Sequence, residues 1–240
     1  MPRNIPLVLL PGMLCDGAFW RAQMRDLGDI ADCRVAGYGL AHDFDTMADI
    51  VLATAPQGFA LAGHSMGGRV ALEIVRRAPG RVRALALIAT DYRGHPNEEA
   101  RAAEAARRDA ILAKIAAEGM EGFARGWTPQ VVAAANMGNA ALVEEVVAMM
   151  ARQSPEAAAA QTLAGLMRRD QTDILPTIAC PTLVCAGWDD ALRPVSIHRE
   201  MAALIPGSRL TVIEGSAHMV AMERPEALTA EMRSWLAGLG

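Results

Sequence analysis

Short apolar runs alternate along this chain with longer stretches of helical periodicity, and this alternation restricts its possible folds more than any other feature. Strands that alternate with helices form a parallel sheet with helices on its faces. Several runs are apolar on both faces, as buried parallel strands require. The pattern predicts an α/β fold, a mostly parallel sheet of about six strands, with strands at residues 5–10, 33–36, 59–62, 82–88, 182–186 and 209–213 and helices at residues 18–27, 46–53, 67–77, 195–205 and 225–236.

The pattern changes between residue 94 and about residue 172. Strand-like runs stop there, and alanine-rich helical segments are broken by glycine and proline. We therefore expect an all-helical insertion after the fourth strand, with helices near residues 98–118, 129–135, 140–151 and 156–168. The predicted organisation is a core made of residues 1–93 and 173–240, with residues 94–172 as a helical cap.

Charge and cysteine pattern exclude several classes of protein. The 240-residue chain has a formal net charge of −4 with its basic residues scattered, so it lacks the basic stripe that binds nucleic acid. The first apolar run, which contains Pro6, is too short for a signal-peptide core or a bilayer span. The four cysteines show no C-x-x-C pair and no histidine at metal-ligand spacing. We expect a cytoplasmic monomer or homodimer with no membrane partner, no nucleic-acid partner and no bound metal.

A glycine-flanked serine lies where the third predicted strand passes into a helix. Residues 61–68 read LAGHSMGG, which contains the pattern G-x-S-x-G with Ser65 at its centre. In a sharp turn between strand and helix, this pattern holds the serine oxygen above the sheet as a nucleophile. The alternative is a tight turn whose serine only caps the helix.

A serine nucleophile needs a base and an acid from later in the chain. His218 lies in a small-residue loop after the last predicted strand, and it is the predicted base. Asp190, in the loop after the fifth strand, is preferred as the acid over its neighbour Asp189 and over Asp91. His64 is adjacent to the serine, and we expect a structural role for it.

The remaining site residues are predicted from what the reaction needs. A tetrahedral oxyanion requires two preorganised N–H donors, which we assign to the amides of Met13 and Met66. The predicted substrate contacts are Leu14, Trp127 and Met219. An apolar wall in the cap is also possible, although packing among the cap helices is the simpler explanation for most of its candidate members, which are Trp127, Phe123, Met120, Met137, Met149, Met150 and Met167.

These segments together resemble the α/β-hydrolase superfamily across nearly the whole chain. The resemblance rests on the first-strand loop, the turn around Ser65, the acid loop at residues 187–194, the histidine loop at residues 215–218 and the helix start at residues 223–226. The order nucleophile, acid, base is the order of this fold. Within the superfamily, the chain is similar to the small capped esterases that include pimeloyl-carrier-protein methyl esterases, enol-lactonases and cofactor-free haloperoxidase or perhydrolase-like enzymes.

The resemblance implies that the helical insertion is a lid over the site. It also shows two departures: Pro11 stands where many relatives have histidine, and the usual N-terminal hairpin is expected to be missing. The expected activity is hydrolysis of a small-molecule carboxylic ester through an acyl-enzyme on Ser65, with no cofactor. A lactonase, a thioesterase or a carbon–carbon bond hydrolase with the same residues is an alternative, and a ligand receptor without catalysis is a further one.

Overall fold

The computed structural model describes residues 5–239 and contains one six-stranded sheet in that part of the chain. The strands are β1 (Ile5–Leu10), β2 (Ala31–Val35), β3 (Phe59–His64), β4 (Val82–Ile88), β5 (Thr182–Gly187) and β6 (Arg209–Ile213). Their spatial order is β2-β1-β3-β4-β5-β6, and every neighbouring pair is parallel. The predicted fold class is confirmed. The expected absence of an N-terminal hairpin concerns residues ahead of Ile5, which lie outside the described range.

The two faces of the sheet carry side chains of different size. On one face, small residues such as Ala62 and Ala86 lie in register on β3 and β4. On the other face, Leu61 and Leu85 occupy neighbouring positions of the same two strands. Successive side chains of a strand point to opposite faces, so each face contributes to its own hydrophobic cluster. Helices therefore cover both sides of the sheet, as the predicted apolar strands required.

The helices that flank the sheet are α1 (Arg21–Asp26), α2 (Phe44–Thr54), α3 (Met66–Arg77), α7 (Val195–Leu204), α8 (Val220–Glu223) and α9 (Pro225–Ala237). Helix α1 begins three residues later than predicted. The Asp16 side chain accepts a hydrogen bond from the Ala18 amide at 2.7 Å, and the next residues form turns rather than helix. Aspartate competes for backbone amides in this way at turns, and the apolar pattern alone does not reveal it.

Three helices lie between β4 and β5: α4 (Glu98–Val131), α5 (Ala140–Ala151) and α6 (Pro155–Leu166). Helix α4 is interrupted at Gly119, where φ is 71° and ψ is 172°. The predicted helix at residues 129–135 is wrong, because Pro129 lies in the last turns of α4, which ends at Val131. Proline lacks the N–H that bonds to the oxygen of residue i−4, so it favours the first turn of a helix, and for that reason the sequence pattern placed a helix start at Pro129.

Helices α4, α5 and α6 pack against one another and lie over the carboxyl end of the sheet. The backbone oxygen of Val131, at the end of α4, accepts hydrogen bonds from the amides of His218 and Met219. The division of the chain at residues 94 and 172 into core and cap stays a prediction. Within residues 5–239, no helix combines the length and the apolar character that crossing a bilayer demands.

Candidate active site

Ser65 lies in a strained turn between β3 and α3. Its φ of 51° and ψ of −116° are rare for a residue with a side chain. The turn is possible because β3 and α3 approach each other closely at a glycine. A Cβ on Gly63 would lie 2.4 Å from the backbone oxygen of Gly67. The Ser65 side chain makes no capping hydrogen bond to α3. The explanation of Ser65 as a helix cap is therefore wrong.

The predicted nucleophile, base and acid lie in contact. The Oγ of Ser65 is 2.9 Å from Nε2 of His218, and Nδ1 of His218 is 2.8 Å from Oδ2 of Asp190. A carboxylate accepts the Nδ1 proton, which leaves Nε2 free to accept the hydroxyl proton of the serine. Residues separated by 153 and 28 positions in the sequence thus form one hydrogen-bonded chain.

Both carboxylate oxygens of Asp190 accept hydrogen bonds, Oδ2 from His218 and Oδ1 from the backbone. It is 3% exposed, and its Oδ1 accepts the amides of Leu192 and Arg193 at 2.9 Å each. Burial raises the pKa of this carboxyl, but the charge and hydrogen bond of His218 together with the two amides lower it overall. The neighbouring Asp189 is exposed. Asp91 accepts the amides of Tyr92 and Arg93 in a turn of its own.

The loop that carries His218 is fixed by hydrogen bonds to distant residues. The Nε2 of His64 donates to the backbone oxygen of His218 at 3.0 Å, and the ring of His64 stacks on Phe19 with 3.9 Å between centroids. Burial, followed by the charge of His218, lowers the pKa of His64 well below its ordinary value. His64 is therefore a neutral, buried ring that holds the histidine loop from below.

Glu223 supports the same loop, a role that the sequence analysis did not assign to it. Its Oε1 accepts the Ala217 amide at 2.8 Å, while Oε2 accepts the Ala133 amide at 2.7 Å and the Asn136 side chain at 2.8 Å. This buried carboxylate joins the residue before His218 to the segment that follows α4. A lone glutamate ahead of a helix gives no sequence signal for such a role.

Thr90 and His198 support the turn of Ser65 and were also missed. The Oγ1 of Thr90 donates to the backbone oxygen of Ser65 at 2.6 Å. The Thr90 amide donates to Nε2 of His198 at 3.1 Å, while Nδ1 of His198 faces the Pro194 oxygen at 3.2 Å. His198 is therefore buried inside the fold. Both contacts cross between elements, so no local pattern indicates them.

A cavity of about 950 Å³, including its part open to solvent, lies between Ser65 and the helices above it. The predicted substrate contacts Leu14, Trp127 and Met219 all line this cavity, as do the predicted oxyanion donors Met13 and Met66. Among the other apolar candidates only Met150 lines it. Phe123 stacks behind Trp127 at 5.6 Å, and Met167 is exposed. The cavity also has arginine side chains in its wall, which the sequence analysis did not anticipate.

The amide of Leu14, which follows the predicted oxyanion donor Met13, has a hydrogen-bond partner in α6. It donates to Oε1 of Gln161 in α6 at 2.8 Å. Leu14 has a φ of 60°, so the chain bends sharply at this point. The amides of Met13 and Met66 donate no hydrogen bond to another group within residues 5–239. Both residues line the cavity that Ser65 also lines.

Comparisons with known proteins agree with this architecture. Residues 7–231 match the profile described as "Alpha/beta hydrolase family". The chain is 27% identical to a pimeloyl-[acyl-carrier protein] methyl ester esterase of Aliivibrio salmonicida, over 96% of this chain and 91% of that protein. It is 30% identical to a thermophilic esterase from Thermogutta terrifontis, with a TM-score of 0.86 over 98% of this chain and 90% of that one. The enol-lactonase from Burkholderia xenovorans, at 22% identity and a TM-score of 0.83 over 98% of this chain and 92% of that one, shares the fold.

Proposed function

Because this chain belongs to the α/β-hydrolase family and resembles its esterases and lactonases, we propose that it hydrolyses a carboxylic ester through an acyl-enzyme on Ser65. The observation that carries the proposal is the hydrogen-bonded chain from Ser65 through His218 to Asp190, with contacts of 2.9 and 2.8 Å. A serine with this arrangement of partners is the activated nucleophile of acyl-transfer enzymes.

In the proposed reaction, Oγ of Ser65 attacks the ester carbonyl while Nε2 of His218 takes its proton. The Asp190 carboxylate holds the Nδ1 proton of His218 and stabilises the imidazolium that forms. His218 then gives its proton to the leaving alcohol, and the acyl group remains on Ser65. A water molecule, deprotonated by the same histidine, attacks the acyl-enzyme, and His218 then returns this proton to Oγ of Ser65 as the acid is released.

The negative charge of the tetrahedral intermediate needs preorganised donors. The amides of Met13 and Met66 are proposed for this role, because both residues line the cavity beside Ser65. Met66 is also the first residue of α3, and the N-terminus of a helix favours negative charge nearby. The first-strand loop and the turn of the nucleophile would each contribute one donor.

A cysteine nucleophile is a poorer explanation of the site. Cys15 lines the same cavity, but burial, followed by the charge of Asp16, raises its pKa to about 12. A thiol is reactive as the thiolate, so this side chain is inert near neutral pH. Its Sγ donates to the Met13 backbone oxygen at 3.5 Å.

Helices α4 to α6 are proposed to act as a lid on this site. They supply Trp127, Met150 and Gln161 to the cavity wall above Ser65. A covered site excludes bulk water and strengthens the electrostatic interactions inside it. An ester is favoured over a lactone or thioester because the Aliivibrio and Thermogutta relatives are both named as esterases.

The test is the hydrolysis of short 4-nitrophenyl esters by wild type and by Ser65→Ala. We expect kcat to fall by about 1,000-fold or more, since the nucleophile is removed and the fold retained. Ser196→Ala, at an exposed serine, is the matched control and should keep the wild-type rate. A fluorophosphonate should label wild type on Ser65, as read by peptide mass spectrometry. Undiminished turnover by Ser65→Ala would rule the mechanism out.

A further inference from the structure

The wall of the cavity has a charge opposite to that of the whole chain. The chain carries a formal net charge of −4, yet five arginines and no aspartate or glutamate are among the described residues that line the cavity. The five are Arg69, Arg107, Arg108, Arg168 and Arg193. A cavity wall that is cationic in an acidic protein indicates a preference for an anionic ligand.

These arginines come from four separate segments that converge near the nucleophile. Arg69 is in the first turn of α3, four residues after Ser65, and Arg193 follows Asp190 by three residues. Arg107 and Arg108 lie on α4, and Arg168 follows α6. Burial lowers the pKa of Arg69 to about 9, with the charge of Asp91 opposing the shift and the charges of Arg168 and Arg193 adding to it. All five side chains line the same cavity, so their positive charges add up in one wall.

The carboxylates near the cluster are already shared. Glu104 lies 2.6 Å from Arg107, 2.6 Å from Arg108 and 3.6 Å from Arg168, so one negative charge serves three cations. Asp91 is 4.0 Å from Arg69 but 3.2 Å from Arg93. No cation of the cluster has a carboxylate to itself.

Arg193 and Arg108 have N–H donors that could still bind a ligand. Arg193 donates to the backbone oxygen of Leu192 at 2.7 Å, and no carboxylate within residues 5–239 lies within 4.0 Å of it. The Nε of Arg108 is buried without a hydrogen-bond partner in the described part of the chain. A guanidinium has five N–H donors, so a single contact to a backbone oxygen leaves most of them available. Partly buried cations of this kind are costly unless an anion joins them.

We propose that this cluster binds a free carboxylate on the substrate, so that the enzyme cleaves a monoester of a dicarboxylic acid. The inference rests on the proposed function of Ser65. The arginines would hold the carboxylate by charge-assisted, bidentate hydrogen bonds, which guanidinium groups form with carboxylates. The apolar part of the same wall, formed by Leu14, Trp127, Val131, Met150 and Met219, would contact the methylene chain between the two ends of the substrate.

The test compares two esters that differ only in charge. Monomethyl adipate is compared with the methyl ester of adipic acid monoamide, which has the same length and shape but no charge. Pairs made in the same way from succinic to suberic acid cover other spacings. Release of methanol at pH 7.5, followed by proton NMR, gives kcat/KM for each. Wild type should prefer the carboxylate member of at least one pair by about 10-fold or more.

The readout for the arginines is this preference ratio rather than the absolute rate. Arg193→Gln and Arg108→Gln should each bring the ratio close to one. Arg125→Gln is the matched control, because Arg125 lies on α4 as Arg108 does but is half-exposed and pairs with Glu121 and Glu144 outside the cavity lining. This variant should keep the wild-type ratio. Melting temperatures of all variants report any loss of folding.

Two results would overturn the inference while leaving the proposed function intact. One is Ser65-dependent hydrolysis with no preference for the carboxylate at any chain length. The other is a preference that survives in both arginine variants, which would make the cluster only a structural support of backbone oxygens. If no ester is cleaved in a Ser65-dependent way, the proposed function fails. Calorimetric binding of adipate, but not of adipamide, to Ser65→Ala then decides the anion site, and equal or absent binding refutes it.

Discussion

Asp190 shows how one residue serves both the fold and the proposed chemistry. It is buried, and an isolated buried carboxylate is costly. Two backbone amides and the ring of His218 offset that cost. The same contacts orient the imidazole toward Ser65, because the carboxylate accepts the Nδ1 proton and leaves Nε2 to face the hydroxyl.

Asp190→Asn should lower kcat by about 1,000-fold or more, because an amide beside Nδ1 favours the wrong tautomer of His218. Ester hydrolysis measures this effect. Asp189→Asn is the control one residue away, since Asp189 is exposed and its side chain is not part of the site. Equal losses in both variants would contradict the assignment of Asp190 as the acid.

The same substitution should have a pH-dependent effect on stability. The pKa of Asp190 is lower in the folded protein than that of an unperturbed aspartate, so the unfolded chain binds the proton more readily. Its stabilisation is fully present above about pH 4, near the pKa of an unfolded aspartate, and is lost as pH falls through the folded pKa. Urea unfolding should therefore show a larger difference between wild type and Asp190→Asn at pH 7 than at pH 3.

The turn from β3 into α3 depends on glycine at places of backbone contact. A Cβ on Gly63 would meet the Gly67 oxygen at 2.4 Å, and one on Gly67 would meet the Leu10 oxygen at 2.3 Å. These atoms belong to the backbone of β1 and α3, so neither can move without shifting an element. The helix lies close to the sheet for this reason, and Ser65 is held at its edge.

Gly63→Ala should destabilise the protein by about 3 kcal/mol, because overpacking against backbone cannot be relieved by a rotamer change. Gly80→Ala is the matched control, since a Cβ there meets nothing within 4 Å. The free energies of unfolding from urea titrations are the measurement. Similar values for the two variants would show that β3 and α3 can separate at little cost.

At the scale of the whole molecule, the three helices between β4 and β5 are tied to the sheet by polar contacts at the site. Gln161 accepts the Leu14 amide, and the Val131 oxygen accepts the amides of His218 and Met219. Asn136 also donates to the Gly215 oxygen at 2.9 Å. The loops predicted to supply an oxyanion donor and the base are therefore both anchored to the helical segment.

Gln161→Leu should lower kcat about tenfold, because the left-handed turn at Leu14 loses its anchor and the adjacent Met13 amide moves away from the position it needs. Stability should fall by about 1–3 kcal/mol, the usual cost of a buried amide left without a partner. Gln130→Leu, at an exposed glutamine of α4, is the control for both ester hydrolysis and urea unfolding. Wild-type kcat in Gln161→Leu would show that the helical segment does not position this loop.

The sequence by itself determined the sheet and the three residues of the proposed chemistry. The bounds of β1, β4 and β6 were predicted without error, since apolar periodicity between turn residues is a local property. Ser65, Asp190 and His218 were predicted because a nucleophile requires a base and an acid, and the chain offers them in the order of the fold. The contact distances between them came only with the coordinates.

Only the tertiary structure decided which distant side chains share a space. The arginine cluster, Glu223, Thr90 and the Gln161 contact join segments that have no common local pattern, so nothing in the order of residues distinguishes them from surface charges or cap residues. The end of α4 beyond Pro129 was missed for a related reason, because proline favours a helix start and only the tertiary structure shows that this proline lies in the last turns of a longer helix. Local patterns along the chain determine helices and strands. The charge of the cavity wall and the hydrogen bonds that hold the site loops depend on how those helices and strands pack together.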